Sequence, residues 1–185
     1  QGLLILNDPV ELIQHRTGLS ALILLFITLS VTPVRRLSGW NSLIKFRRLA
    51  GLFAFFYATL HAFSYFVFDH SLDFGLIWAD VIEHPWVWVG FLAFLCLIPL
   101  ALTSTTGWIR RMGGKNWNRL HMLIYLIAPM GVLHFFWLVK ADVSEPVTYA
   151  VILGAILAAR GFIKPRKVPK TATPRRPASP SSASP

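Results

Sequence analysis

The sequence predicts an all-α fold, a polytopic transmembrane helix bundle with five spans, on three observations. Its 185 residues are 55% hydrophobic and 14% charged, where soluble domains carry about 25% charged residues. Its mean hydropathy is +0.56, so lipid rather than water is the solvent for much of the chain. Its long apolar runs are continuous, without the period-two alternation of a barrel strand. A soluble enzyme is excluded on these grounds. A disulfide framework and a cysteine-built metal site are excluded too, because each needs several thiols and Cys96 is the only cysteine.

The spans are read at Thr17–Thr32, Leu49–Phe68, Trp86–Thr103, Arg119–Val139 and Pro146–Ile163, against the roughly 17–25 helical residues that a bilayer takes. The first and last are marginal in length. Pro99 and Pro129 fall inside spans, where a proline frees a carbonyl and bends the helix unless neighbours compensate. Residues 1–164 form one transmembrane unit in this reading. Residues 165–185, rich in Lys, Arg, Pro, Ser, Ala and Thr, are expected to be a disordered basic tail, since that composition cannot bury a core.

The net charge of +10 is spread over the loops, which points to topology and not to nucleic acid. Basic residues collect at 35–48 (Arg35, Arg36, Lys45, Arg47, Arg48), at 110–119 (Arg110, Arg111, Lys115, Arg119) and from Arg160 onward; only Arg16 and Lys140 stand elsewhere. The eight acids, Asp8, Glu11, Asp69, Asp73, Asp80, Glu83, Asp142 and Glu145, occupy the alternate loops. The positive-inside rule therefore places the C-terminus in the cytoplasm and residue 1 outside. The basic tail either touches anionic lipid headgroups or serves only to set topology. Gly113 and Gly114 read as a turn, and no nucleotide-binding loop occurs.

Three histidines lie within spans: His61, His121 and His134. An ionisable side chain there costs about 2.5–3.5 kcal/mol when charged at mid-helix, which makes each a functional candidate. At the α-helical rise, His61 lies roughly 4 Å and His134 roughly 7 Å outward of the midplane, with His121 roughly 12 Å toward the cytoplasm. His61 and His134 can therefore meet, and two neutral imidazoles facing across a bundle suit a six-coordinate haem iron. His121 belongs to a second, inner level whose other ligand is unidentified. On an ideal helix His121 and His134 point about 140° apart, so either Pro129 distorts the span or the two sites use different faces. Phe53, Phe55, Phe56, Tyr57, Phe63, Tyr65, Phe66, Phe135, Phe136 and Trp137 offer flat apolar surface, which aromatic-rich membrane helices also show without a cofactor. Arg47 and Arg48 serve either as partners for inner haem propionates or as positive-inside anchors. His15, His70 and His84 sit at the outer edge, where a solvated histidine is the default.

Rival readings are weaker. Zinc or another metal on the three histidines would need His121 close to His134, and the spans hold no acid. A proton-coupled transporter would show intramembrane Asp or Glu and repeated halves. A structural anchor predicts no buried histidine.

The stretches Asp8-Pro-Val-Glu-Leu-Ile-Gln-His-Arg-Thr-Gly18, Phe46-Arg-Arg-Leu-Ala-Gly51, Ala58-Thr-Leu-His-Ala-Phe-Ser-Tyr65, Leu102-Thr-Ser-Thr105, Trp117-Asn-Arg-Leu-His121 and His134-Phe-Phe-Trp-Leu-Val-Lys140 resemble the MsrQ (YedZ) family. These are the haem-binding membrane subunits of bacterial MsrPQ methionine sulfoxide reductase systems, within the ferric-reductase-like transmembrane superfamily that includes NADPH oxidases. The likeness runs from about Asp8 to Gly161. It implies a bacterial inner-membrane electron conduit taking electrons from the quinone pool or a cytoplasmic flavin reductase and passing them to MsrP, a periplasmic molybdopterin enzyme that repairs oxidised methionines. Such a subunit belongs to an oxidoreductase system but reduces no sulfoxide itself. The resemblance carries haem b ligation, one or two haems, to His61, His121 and His134, and it implies FMN, for which no motif is visible. Members usually have one more helix before the Asp-Pro motif, so a sixth span is expected upstream. The runner-up is a ferric-reductase-like haem protein serving a different acceptor.

Overall fold

A computed structural model describes residues 9–139 and 143–163; the expected tail at 165–185 and any helix before Pro9 lie outside the described residues. Eight α-helices and one π-helical turn occur among the described residues: α1 (Pro9–Ser38), α2 (Leu43–Ser64) continued by the π turn Tyr65–Asp69, α3 (Phe74–Glu83), α4 (Pro85–Leu102), α5 (Thr106–Met112), α6 (Gly114–His121), α7 (Ile124–Leu138) and α8 (Ser144–Phe162). Five helical stretches are long and apolar enough to cross a membrane: Pro9–Ser38, Leu43–Asp69, Pro85–Leu102, Gly114–Leu138 and Ser144–Phe162.

The first span is far longer than its apolar run. Pro9 starts it, where a missing N–H costs nothing, and Arg35 and Arg36 lie in its last turn, facing the negative end of the helix dipole. Gly39, at φ +74°, ends it by donating its N–H to Arg35 O at 2.9 Å. Thr17, Thr28 and Ser30 each return their hydroxyl to a carbonyl four residues back, at 2.7–2.8 Å, which satisfies them in an apolar setting.

The fourth span is not one helix. Met122 and Leu123 separate α6 from α7, and the bonds Leu123 N–H to Leu120 O, Tyr125 N–H to Met122 O and Leu126 N–H to Leu123 O span only three residues. The irregular turn lies just before Tyr125, whose carbonyl would meet the ring of Pro129 in a regular helix. Between α5 and α6, Gly113 takes φ +76°, the turn expected there.

α1 packs along α2, α4 packs against α7, and α8 closes against both α1 and α7. Two core clusters hold them. Leu22, Phe26 and Leu29 of α1 meet Ala128 and Val132 of α7 and Leu153 of α8; Leu25 of α1 meets Ala54 of α2, Ala93, Leu97 and Leu100 of α4 and Ile127 of α7. Ala54 and Ala128 are fully buried, since small side chains let membrane helices approach. The outside is apolar as well. Phe46, Phe53, Phe56 and Phe63 form an exposed row on α2, and Phe136 and Trp137 are exposed on α7. These aromatics face lipid, so of the aromatic surface expected near a cofactor only part turns inward.

Basic and acidic residues fall at opposite ends. Arg35, Arg36, Lys45, Arg47 and Arg48 join the α5–α6 loop and Arg160 at one end; Glu11, Asp69, Asp73, Asp80, Glu83 and Glu145 lie at the other.

Candidate functional site

The structure brings His61 of α2 and His134 of α7 together toward the acidic end, with ring centroids 6.1 Å apart and planes nearly perpendicular, at 77°. His61 Nδ1 lies 3.0 Å from Gln14 O on α1, and His134 Nδ1 lies 2.7 Å from Trp86 O on α4. A carbonyl can only accept, so each Nδ1 carries the proton and donates it, and Nε2 of the neutral ring keeps its lone pair. This is the arrangement by which metal-binding histidines are oriented and made more basic. The residues present fit a haem: two neutral imidazoles, each with Nε2 unprotonated, would hold its iron. Four helices position the pair, because α1 and α4 supply the carbonyls and α2 and α7 the rings.

The inner level is built differently. A cavity of about 550 Å³ is lined by Arg47, Arg48, Phe55, Trp117, His121, Tyr125 and Arg160 among others. Thr103 Oγ1 donates to Pro99 O at 2.6 Å, so it accepts from His121 Nε2 at 3.1 Å. His121 is thus engaged through the nitrogen that is free in the outer pair. Trp117 Nε1 donates to Thr103 O at 2.9 Å, which holds the loop after α4 against α6. The break at Met122–Leu123 lets His121 face this cavity while His134 faces His61; different faces and a distorted span both contribute, and the distortion begins before Pro129.

Arg160 carries no site signal in the sequence, where it opens the run of basic residues toward the C-terminus. In the structure its Nη1 donates to Leu29 O at 2.6 Å, and its guanidinium stands 5.1 Å over the Tyr125 ring. Arg36 in turn donates to Arg160 O at 3.0 Å and Ile163 O at 2.7 Å. The clue available was position alone: Arg160 lies inside an apolar helix and not after it. Three guanidiniums around one space suit carboxylates or a phosphate.

A second group unforeseen in the sequence lies at the acidic end. Asp80 accepts from Tyr65 OH at 2.6 Å and His84 Nδ1 at 2.8 Å, and His70 Nε2 is 3.4 Å away. Burial raises the Asp80 pKa, but the bonds from Tyr65 and His84 and the nearby His84 and His70 outweigh it and hold the carboxyl below the usual range. The His84 ring also lies 4.4 Å from that of Trp86, whose carbonyl holds His134. His15 is 3.7 Å from Glu145 and ties α1 to α8. Among the described residues no group of three or more His, Cys, Asp or Glu could hold a metal ion, which removes support from the zinc reading.

The family model described as "Ferric reductase like transmembrane component" matches residues 17–132. A "Protein-methionine-sulfoxide reductase heme-binding subunit MsrQ" from Xanthomonas axonopodis pv. citri is 50% identical over 176 residues, covering 91% of this chain and 80% of the relative. Proteins of the same description from Xanthomonas oryzae pv. oryzae (49%, with the same coverage) and Herminiimonas arsenicoxydans (47%, 84% of this chain and 72% of the relative) are similar. No solved structure matches the chain.

Proposed function

Because the chain belongs to the MsrQ family of ferric-reductase-like transmembrane proteins, we propose that it is the haem b electron-transfer subunit of a methionine sulfoxide reductase system. It takes electrons from the quinone pool or a cytoplasmic flavin reductase and delivers them across the inner membrane to an MsrP-like periplasmic molybdopterin reductase. Its basic end and C-terminus face the cytoplasm. The observation that carries this reading is the facing pair His61 and His134, each with Nδ1–H on a main-chain carbonyl and Nε2 free.

Haem, when bound, supplies the one-electron chemistry. His61 and His134 would hold it at the outer level. At the inner level Arg47, Arg48 and Arg160 would neutralise the acidic edge of a bound group, with His121 as ligand in exchange for its Thr103 contact. The same guanidiniums would suit the phosphate of FMN, but the cavity is one space, and a histidine in its wall favours haem. Between the levels the core is built of apolar side chains, Leu25, Ala54, Leu97 and Ile127 among them, which disfavours water there. The acidic outer loops offer a basic partner its docking surface.

The test is a reduced-minus-oxidised visible spectrum with haem counted per chain, in wild type and in His61→Ala, His134→Ala and His121→Ala. A low-spin b-type spectrum lost in the first two and reduced in the third is expected. Full haem with an unaltered low-spin spectrum in both His61→Ala and His134→Ala would overturn the outer site.

A further inference from the structure

Each ring of the outer pair rests on a glycine. A Cβ at Gly18 of α1 would lie 3.1 Å from His61 Nδ1 and 3.2 Å from its Cε1, and a Cβ at Gly90 of α4 would lie 2.7 Å from both atoms of His134. Each glycine stands four residues after the residue whose carbonyl takes that ring's Nδ1–H: Gln14 before Gly18, Trp86 before Gly90. Residues i and i+4 lie one above the other on a helix face. An imidazole reaching the carbonyl of residue i must therefore lie over residue i+4, and any side chain there stands in its way. The same arrangement occurs on two helices far apart in the chain.

Ordinary helix packing also favours small residues, but it predicts contacts with whatever neighbour is near. The other helical glycines behave that way. A Cβ at Gly131 would meet the flexible end of Leu22 at 3.3 Å, one at Gly51 would meet Thr28 at 3.8 Å, and one at Gly154 would meet nothing within 4 Å. Among the described glycines only Gly18 and Gly90 bear on imidazole rings.

We propose that Gly18 and Gly90 are positioning residues of the outer haem site, which keep bare backbone beneath His61 and His134 and so fix both Nδ1–H bonds and the 77° angle between the rings. The inference rests on the haem reading above. An Nδ1–H bond strengthens the imidazole as a ligand, which favours the oxidised iron. Near-perpendicular ligand planes leave the iron's two π-type d orbitals close in energy, the condition for a highly anisotropic low-spin resonance. The two glycines thus act on potential and on spectrum.

The experiment compares wild type with Gly18→Ala, Gly90→Ala and, as a control for the substitution itself, Gly154→Ala. Electron paramagnetic resonance of the oxidised protein and a redox titration are the readouts. Gly154→Ala should match wild type. Gly18→Ala should keep haem but shift the largest g value, and Gly90→Ala, with its shorter contacts, should shift it further and raise the midpoint potential, or lose the outer haem. Should Gly90→Ala fail to accumulate, Gly18→Ala decides alone. Wild-type g values and potential in every glycine variant that accumulates would overturn the role of the glycines. A folded wild type without low-spin haem would instead overturn the functional reading beneath it.

Discussion

The Trp117 indole lies face to face with the His121 imidazole, with centroids 3.9 Å apart and planes 27° apart. Its Nε1–H is spent on Thr103 O, so one side chain fixes both the ring and the loop that contacts it. Trp117→Phe keeps a stacking surface and loses the hydrogen bond, which should cost about 1 kcal/mol. Trp117→Ala loses both and should cost roughly 3 kcal/mol. Thermal unfolding in detergent measures the pair, and equal effects would mean that stacking contributes nothing.

Arg160 holds the basic end together through Leu29 O and the Tyr125 face. Arg160→Gln should lose a charge-assisted bond of about 1.5–3 kcal/mol together with a cation–π contact of about 0.5–2 kcal/mol. Arg160→Lys should recover only part, because an ammonium cannot fork or stack as a guanidinium does. On the proposal that the inner cavity also holds haem, haem per chain should fall in Arg160→Gln while the outer low-spin signal persists.

Asp80 makes stability depend on pH in one direction. Its folded pKa lies below the unfolded value, so its contribution is present above the unfolded pKa of about 3.9 and is lost as pH falls through the folded pKa. The gap in melting temperature between wild type and Asp80→Asn should be present at about pH 5 and close below about pH 4. A gap that persists at low pH would assign the effect to hydrogen-bond shape and not to charge.

Partner docking is best probed with acids that have no structural duty. Asp69 accepts from Gln14 Nε2 at 2.6 Å, Asp73 caps α3 by accepting from the N–H groups of Gly75 and Leu76, and Asp80 anchors Tyr65 and His84. Neutralising these would disturb the fold of the outer end. Glu11→Gln with Glu83→Gln should slow electron delivery to the periplasmic reductase about 2- to 10-fold at low salt, with the difference shrinking at high salt as charges are screened. Delivery that keeps wild-type speed and salt dependence would exclude these two acids from docking.

Span number, the partition of charge and the level shared by His61 and His134 were legible because each depends only on hydropathy and helical rise. What a side chain touches across the bundle was not. The long α1 escaped notice since its ends, from Pro9 and beyond Thr32, are helical without being apolar. The lipid-facing row of Phe53, Phe56 and Phe63 looked like cofactor surface because an aromatic suits lipid and haem equally. Arg160 reaches a main-chain carbonyl of another helix, and Gly18 and Gly90 lie beneath histidines that reach carbonyls four residues before them; a carbonyl leaves no mark in a sequence. The break at Met122–Leu123 lies within a continuous apolar run, so the span's hydropathy conceals it.

The π turn Tyr65–Asp69 amounts to one residue added to the end of α2. Relaxing that turn into regular α-helix with the residue kept would rotate everything beyond by roughly 100°. Asp69 would swing away from Gln14, while His61, upstream of the change, would keep its phase. Removing one residue at the same time would restore the phase, because the widened turn is what absorbs it. The outer end is therefore set by a count of residues as much as by their identity.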